Sequence, residues 1–180
     1  MPAAAMSSTA WKLDSSHTSV EFSVKHLMIS TVKGRFADVE GTVTVPGDLL
    51  ERASVTATIK TASVDTRNEQ RDGHLRSGDF FDVEAFPTIG FRSTKIAGTK
   101  EHFTLSGDLT IRGVTRPIDL DVTFEGQGKD PWGGTRMGFS ATGKFDRREF
   151  GLVYNQALEA GGVVISNDVR ISIDAQVVQG

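Results

Sequence analysis

The residues able to do chemistry gather in one stretch, Thr66 to Pro87, which holds Arg71, Asp72, His74, Arg76 and Asp79 beside Phe80, Phe81 and Phe86. The patterns of familiar catalytic sites are missing: the chain has no Gly-x-Ser-x-Gly nucleophile elbow and no His-Glu-x-x-His pair. His17, His26 and His74 would have to converge within coordination distance to hold a metal, and a hydrogen-bonded structural role suits each of them better. Asp146 and Glu149 are the residue types of a paired-carboxylate acid and base, but Arg147 and Arg148 between them point to a salt-bridged turn. For Arg71, Asp72, His74 and Asp79 two readings stand. They form a buried polar network that locks a helix onto the fold, or a rim that contacts a ligand head group, where Arg71 or Arg76 suits a phosphate. His26, on the inward parity at the end of its strand, belongs to the same polar group.

These residues need elements to position them. Thr66 followed by Glu69 has the form of a capping box, so a short helix is predicted to start there and to stop at Gly73 or Gly78. Most of the remaining chain alternates apolar with polar residues, the period of a strand with one buried face. The segments are 20–25, 39–45, 53–60, 88–93, 103–111, 118–124, 137–145 and 169–177. Turns are expected at Pro46-Gly47-Asp48, at 98–101 and at 112–117, a long polar loop at 126–134, and a mixed loop from Arg147 to Glu159 ended by Gly161-Gly162. Residues 1–10 are expected to be flexible, and 11–180 to form one domain.

About eight hairpin-connected strands with one or two short helices define an all-β chain, and closure into an antiparallel barrel removes the exposed edges. Gly41, Ala57, Gly107, Ala141, Gly143 and Ala175 fall on the inward parity. Such small residues favour a hollow interior; the competing explanation is that the glycines allow strand coiling or bulges. The charged helix beside three phenylalanines then sits at the barrel mouth.

Composition narrows the function further. With no cysteine, thiol catalysis, disulfides and cysteine-bound zinc are excluded. A net charge of -3, with basic residues interspersed among acids, argues against nucleic acid. There is no apolar run long enough for a transmembrane helix, and the opening Met1-Pro2-Ala3-Ala4-Ala5-Met6 lacks the charged and apolar regions of a signal peptide. A chain that starts here is expected to stay in the cytoplasm.

Laid out in order, these residues resemble the YceI-like family of lipocalin-like lipid-binding proteins. The likeness runs from Trp11 to Val177 and is carried by Asp14-Ser15-Ser16-His17-Thr18-Ser19-Val20-Glu21-Phe22, Val32-Lys33-Gly34-Arg35-Phe36 and Arg71-Asp72-Gly73-His74-Leu75. It continues through Asp79-Phe80-Phe81-Asp82-Val83, Phe86-Pro87-Thr88-Ile89-Gly90-Phe91, Gly107-Asp108-Leu109-Thr110-Ile111-Arg112-Gly113 and Arg148-Glu149-Phe150-Gly151. The resemblance implies an extended barrel that binds a polyisoprenoid, isoprenoid quinone or similar amphiphile, commonly as a homodimer without enzymatic activity or cofactor. Many relatives carry an export signal, which the start of this sequence lacks.

The expected ligand wall is Phe22, Val24, Val43, Ile59, Phe91, Leu105, Leu109, Ile111, Leu120, Val122, Phe139, Phe145, Ile171 and Ile173, with Phe80, Phe81, Phe86 and Phe150 at the ends. Each alone is ordinary core; the argument is collective, because a buried methylene contributes roughly 0.8 kcal/mol and a long tail needs no polar motif. Two rivals remain: a lipid-modifying or hydrolytic enzyme built on His74 with Asp72 or Asp79, and a filled barrel that serves as an interaction module.

Overall fold

The computed structural model describes residues 7–156 and 164–180. Its strands are β1 (Ser8–Leu13), β2 (Ser19–His26), β3 (Ser30–Phe36), β4 (Val39–Pro46), β5 (Ser54–Lys60) and β6 (Val64–Asp65). The helix α1 (Glu69–Arg76) follows, then β7 (Thr88–Gly98), β8 (His102–Ile111), β9 (Val114–Lys129), β10 (Thr135–Asp146) and β11 (Asp168–Gln179). All pairings are antiparallel, in the order β1-β4-β5-β7-β8-β9-β10-β11, and β1 returns to β11 to close an eight-stranded barrel. Alternation sets the faces. On β8, Phe103, Leu105, Leu109 and Ile111 are buried, opposite Val122, Leu120, Arg116 and Val114 of β9.

β1 and β2 run end to end along β11, broken by a 3-10 turn at Ser15–His17 whose cap is the Asp14 carboxylate. The break changes the neighbour: β1 pairs with β4, whereas β2 pairs with β3, and β3 with β6. So three extra strands and α1 are laid against one end of the barrel. Register shifts at Ser93/Lys95 and Gly138/Phe139 mark bulges that bend the long strands around. The opposite end is plugged by Trp11, Val45, Met137 and Val177, all buried.

Several expectations are revised. Residues 8–10 belong to β1, paired with Thr44 to Pro46, rather than to a flexible segment, because Trp11 and Leu13 anchor that strand in the core. β3 is an unforeseen strand. β9 runs to Lys129, so the long polar loop shrinks to a turn at 130–134; both faces are polar there, which hides the period. The helix is capped by Asn68, whose side chain accepts from the Arg71 N–H at 3.0 Å, not by Thr66. Arg67 takes a left-handed φ of 61°, which swings Thr66 to face Asp72 a turn inside the helix. Gly73 lies within α1, which ends just before Gly78. The expected stop at Gly161-Gly162 lies outside the described residues.

The inward glycines do not make the hollow. A Cβ on Gly107 would overlap the Phe91 ring and sit 2.7 Å from the Arg92 carbonyl oxygen, and one on Gly143 would lie 2.7 Å from Leu120 Cδ2. Their space is already taken by neighbouring side chains.

Candidate functional site

The barrel encloses a cavity of about 510 Å³, in the range of small-molecule sites. Every residue of the expected wall lines it except Phe86 and Phe150. Phe86 packs against the β8–β9 turn at Gly113, and Phe150, 1% exposed, is core beneath Phe145. Ala57, Ala141 and Ala175 do face the space, whereas Gly41, Gly107 and Gly143 do not. Sequence reasoning missed Leu13, Phe36, Val55, Ile89, Ile96 and Phe103; the parity of their strands was the available signal for most of them.

The polar residues of the wall are Glu21, Lys25, His26, Thr66, Arg71, His74, Arg147, Tyr154 and Gln156, most of them toward the α1 end, and Thr18, which accepts from the Gln176 amide farther along β11. Arg71 donates from Nε to the Thr66 hydroxyl and from Nη2 to the Thr66 carbonyl, both at 2.8 Å, and among the described residues forms no ion pair. His74 Nε2 lies 2.8 Å from the Asp79 carboxylate, and its ring meets the edges of Phe80 and Tyr154 at centroid distances of 5.0 and 4.8 Å. Asp72, Arg76 and Asp79 are not on the wall. The buried Asp72 accepts from the Thr66 amide and hydroxyl, and Arg76 donates to the carbonyls of Ala62 and Val64. The two readings of this cluster therefore divide by residue: Asp72, Arg76 and Asp79 fix the helix, while Arg71, His74 and His26 face the cavity.

The expected salt-bridged turn forms through Arg148 but not through Arg147. Arg148 pairs with Asp146 at 2.6 Å, and this guanidinium holds the Asp146 carboxyl below its usual range. Arg147 is instead buried and donates to the carbonyls of Ser166, Leu152, Tyr154 and Ile165. Burial lowers its pKa from the ordinary arginine value. Its hydrogen bonds, with those of Asn155 to Ile165, tie 152–155 to 165–166 and hold Tyr154 beside the mouth.

At the plugged end, Arg136 bridges Asp14 at 2.7 Å and Asp130 at 2.8 Å. Bonds from Ser16, His17 and Arg136 hold the Asp14 carboxyl well below the usual carboxylate range, and Arg136 does the same to Asp130. His17 is thus at the other end of the barrel from His74. Among the described residues no three His, Asp or Glu side chains gather as metal ligands would.

A closed antiparallel barrel around one apolar cavity, plugged at one end and polar at the other, is the architecture of a barrel-type binding protein. Residues 11–177 match the YceI-like domain, and the chain belongs to the YceI-like family. It is 41% identical over 171 residues to a UPF0312 protein of Staphylococcus aureus strain USA300, covering 93% of this chain and 96% of that protein. Its fold matches the crystal structure of Burkholderia cenocepacia BcnA with a TM-score of 0.79 at 20% identity, over 91% and 98% of the two chains. A polyisoprenoid-binding domain from Saccharophagus degradans, implicated in plant cell wall breakdown, superposes with a TM-score of 0.69 at 15% identity, over 94% and 98%.

Proposed function

We propose that the barrel binds, and by binding carries or stores, a long-chain amphiphile such as a polyisoprenoid or isoprenoid quinone, without chemical turnover. The observation that carries this reading is the 510 Å³ cavity itself, whose wall is mostly apolar and most of whose polar residues gather toward the α1 end. At about 30 Å³ per group, the share a water takes in the liquid, it has room for roughly seventeen methylene-sized groups. Even ten of them contribute about 8 kcal/mol gross before ordering costs. The YceI-like domain and the polyisoprenoid-binding neighbour support the same ligand class. The tail runs toward Trp11 and Val177, and the head group stays by Arg71, His26 and His74. The Arg71 guanidinium, which forms no ion pair among the described residues, gives phosphorylated heads an advantage.

Native mass spectrometry and organic extraction of gently purified protein test the reading, followed by titration with a polyprenol and its phosphate. A co-purifying or titratable lipid is expected, with Arg71→Gln weakening the phosphate more than the alcohol. Protein that stays empty and takes up neither would overturn the proposal.

A further inference from the structure

The tip of the β2–β3 hairpin is at odds with ordinary hairpin chemistry. Ile29 N–H donates to the His26 carbonyl at 3.1 Å, and the two central residues, Leu27 and Met28, have φ of 54° and 61°. Both signs are those of a type I′ turn, which asparagine and glycine adopt without strain and which bulky side chains resist. Here Leu-Met occupies it, followed by Ile29. Met28 is 58% exposed and Ile29 81%. Leu27 is 38% exposed and partly covered, but Met28 and Ile29 gain little burial, so an apolar tip is presented to the outside at a conformational cost.

The tip lies beside the cavity. Val24 and His26 of β2 and Val32 of β3, at its base, line the cavity wall. Leu27 N–H donates to the Val164 carbonyl, and Val164 N–H to Gln156, which joins the tip to the segment that carries the exposed Val153. The flanks are basic: Lys25 and Lys33 stand on the two strands, and no carboxylate occurs between Glu21 and Asp38.

We propose that this hairpin tip is a membrane-docking element, which inserts Leu27, Met28 and Ile29 into the interface of an anionic lipid bilayer while Lys25 and Lys33 meet the head groups. Apolar residues ringed by cations are the combination an anionic interface attracts. Docking would set the cavity's polar end against the bilayer. The surface stands on its own chemistry, whatever the cavity holds.

The test compares the full chain with the Leu27→Asn, Met28→Gly double variant, whose residues suit the I′ turn and so keep or raise the melting temperature. Both are floated with vesicles of phosphatidylcholine alone and of phosphatidylcholine mixed with phosphatidylglycerol, at low and high salt, and both are titrated separately with a dispersed polyprenol. The parent protein is expected to float with the mixed vesicles, less so in high salt, and the folded double variant to partition about tenfold or more weakly. An equally floating variant, a parent that fails to float, or equal binding to both vesicle types would overturn the proposal. So would a parent that ignores vesicles but self-associates through the tip, since a second copy would then be the occupant. Polyprenol uptake is a separate readout: its failure in both proteins, with vesicle binding as expected, would sink the carrier reading and leave the docking tip standing.

Discussion

Two substitutions on the same inward-facing parity should have opposite signatures. Ala141 on β10 lines the cavity, so Ala141→Leu adds three carbon groups to space that a ligand would fill. At about 0.8 kcal/mol per methylene displaced, ligand binding loses about 2.4 kcal/mol, or roughly fiftyfold. The unliganded protein, with new apolar contacts and no clash, should melt at the same temperature or higher. Gly107→Ala on β8 places its Cβ against the Phe91 ring and 2.7 Å from the Arg92 carbonyl. The ring can shift only into the cavity and the backbone oxygen cannot follow, so stability falls by about 1–3 kcal/mol, the usual cost of overpacking. The assay pairs urea denaturation of delipidated protein with fluorescence titration by a polyprenol analogue. If Ala141→Leu binds within twofold of the parent, or is destabilised as much as Gly107→Ala, the cavity is not where the ligand sits and the reasoning fails.

Replacing Arg147 with methionine keeps much of its apolar stem but abandons the carbonyls of Ser166, Leu152, Tyr154 and Ile165. A loss of about 3 kcal/mol or more is expected in chemical denaturation, with limited proteolysis newly cutting near Tyr154. The clamp at the plugged end sets an acid dependence. Asp14 and Asp130 have folded pKa values held below their unfolded ones, so their contribution is fully present above the ordinary carboxylate pKa of about 3.9 and is lost as pH falls below it. Arg136→Met should therefore be less stable than the parent at neutral pH and approach it in strongly acidic urea melts; a constant gap across that range would show that the clamp does not titrate with folding.

The sequence made the barrel legible where burial follows parity without interruption, as on β8 and β9. It hid β1 and β3 for a physical reason. In β3 the inward row is Val32, Gly34 and Phe36, and its centre is empty of side chain because the Phe22 ring packs over Gly34. The alternation with Lys33 and Arg35 is there, but with a glycine at its centre only two inward side chains carry it, too few to stand out. The same substitution of one residue's volume for another's explains why inward glycines were a false sign of hollowness, while the three alanines on the wall were a true one. Arg147 had no sequence signal at all: it stands beside Arg148, and only the folded chain brings four carbonyls around one of the two.

The polar cluster could have been divided from the sequence by helix geometry, because residues three and four apart share a face and adjacent ones do not. Arg71, His74 and Leu75 form one such set, and all three face the cavity. Asp72 and Arg76 form the next, rotated by about a hundred degrees, and both bind backbone of the preceding segment, at Ala62, Val64 and Thr66. One helix thus carries two jobs in alternating pairs. The anchored helix fixes the backbone of Arg71 and His74, and their own bonds, Arg71 to Thr66 and His74 to Asp79, hold both side chains on the cavity wall before any ligand arrives. A site at the end of an apolar channel needs this: the tail's burial is nondirectional, and only a fixed polar end decides which way round an amphiphile enters.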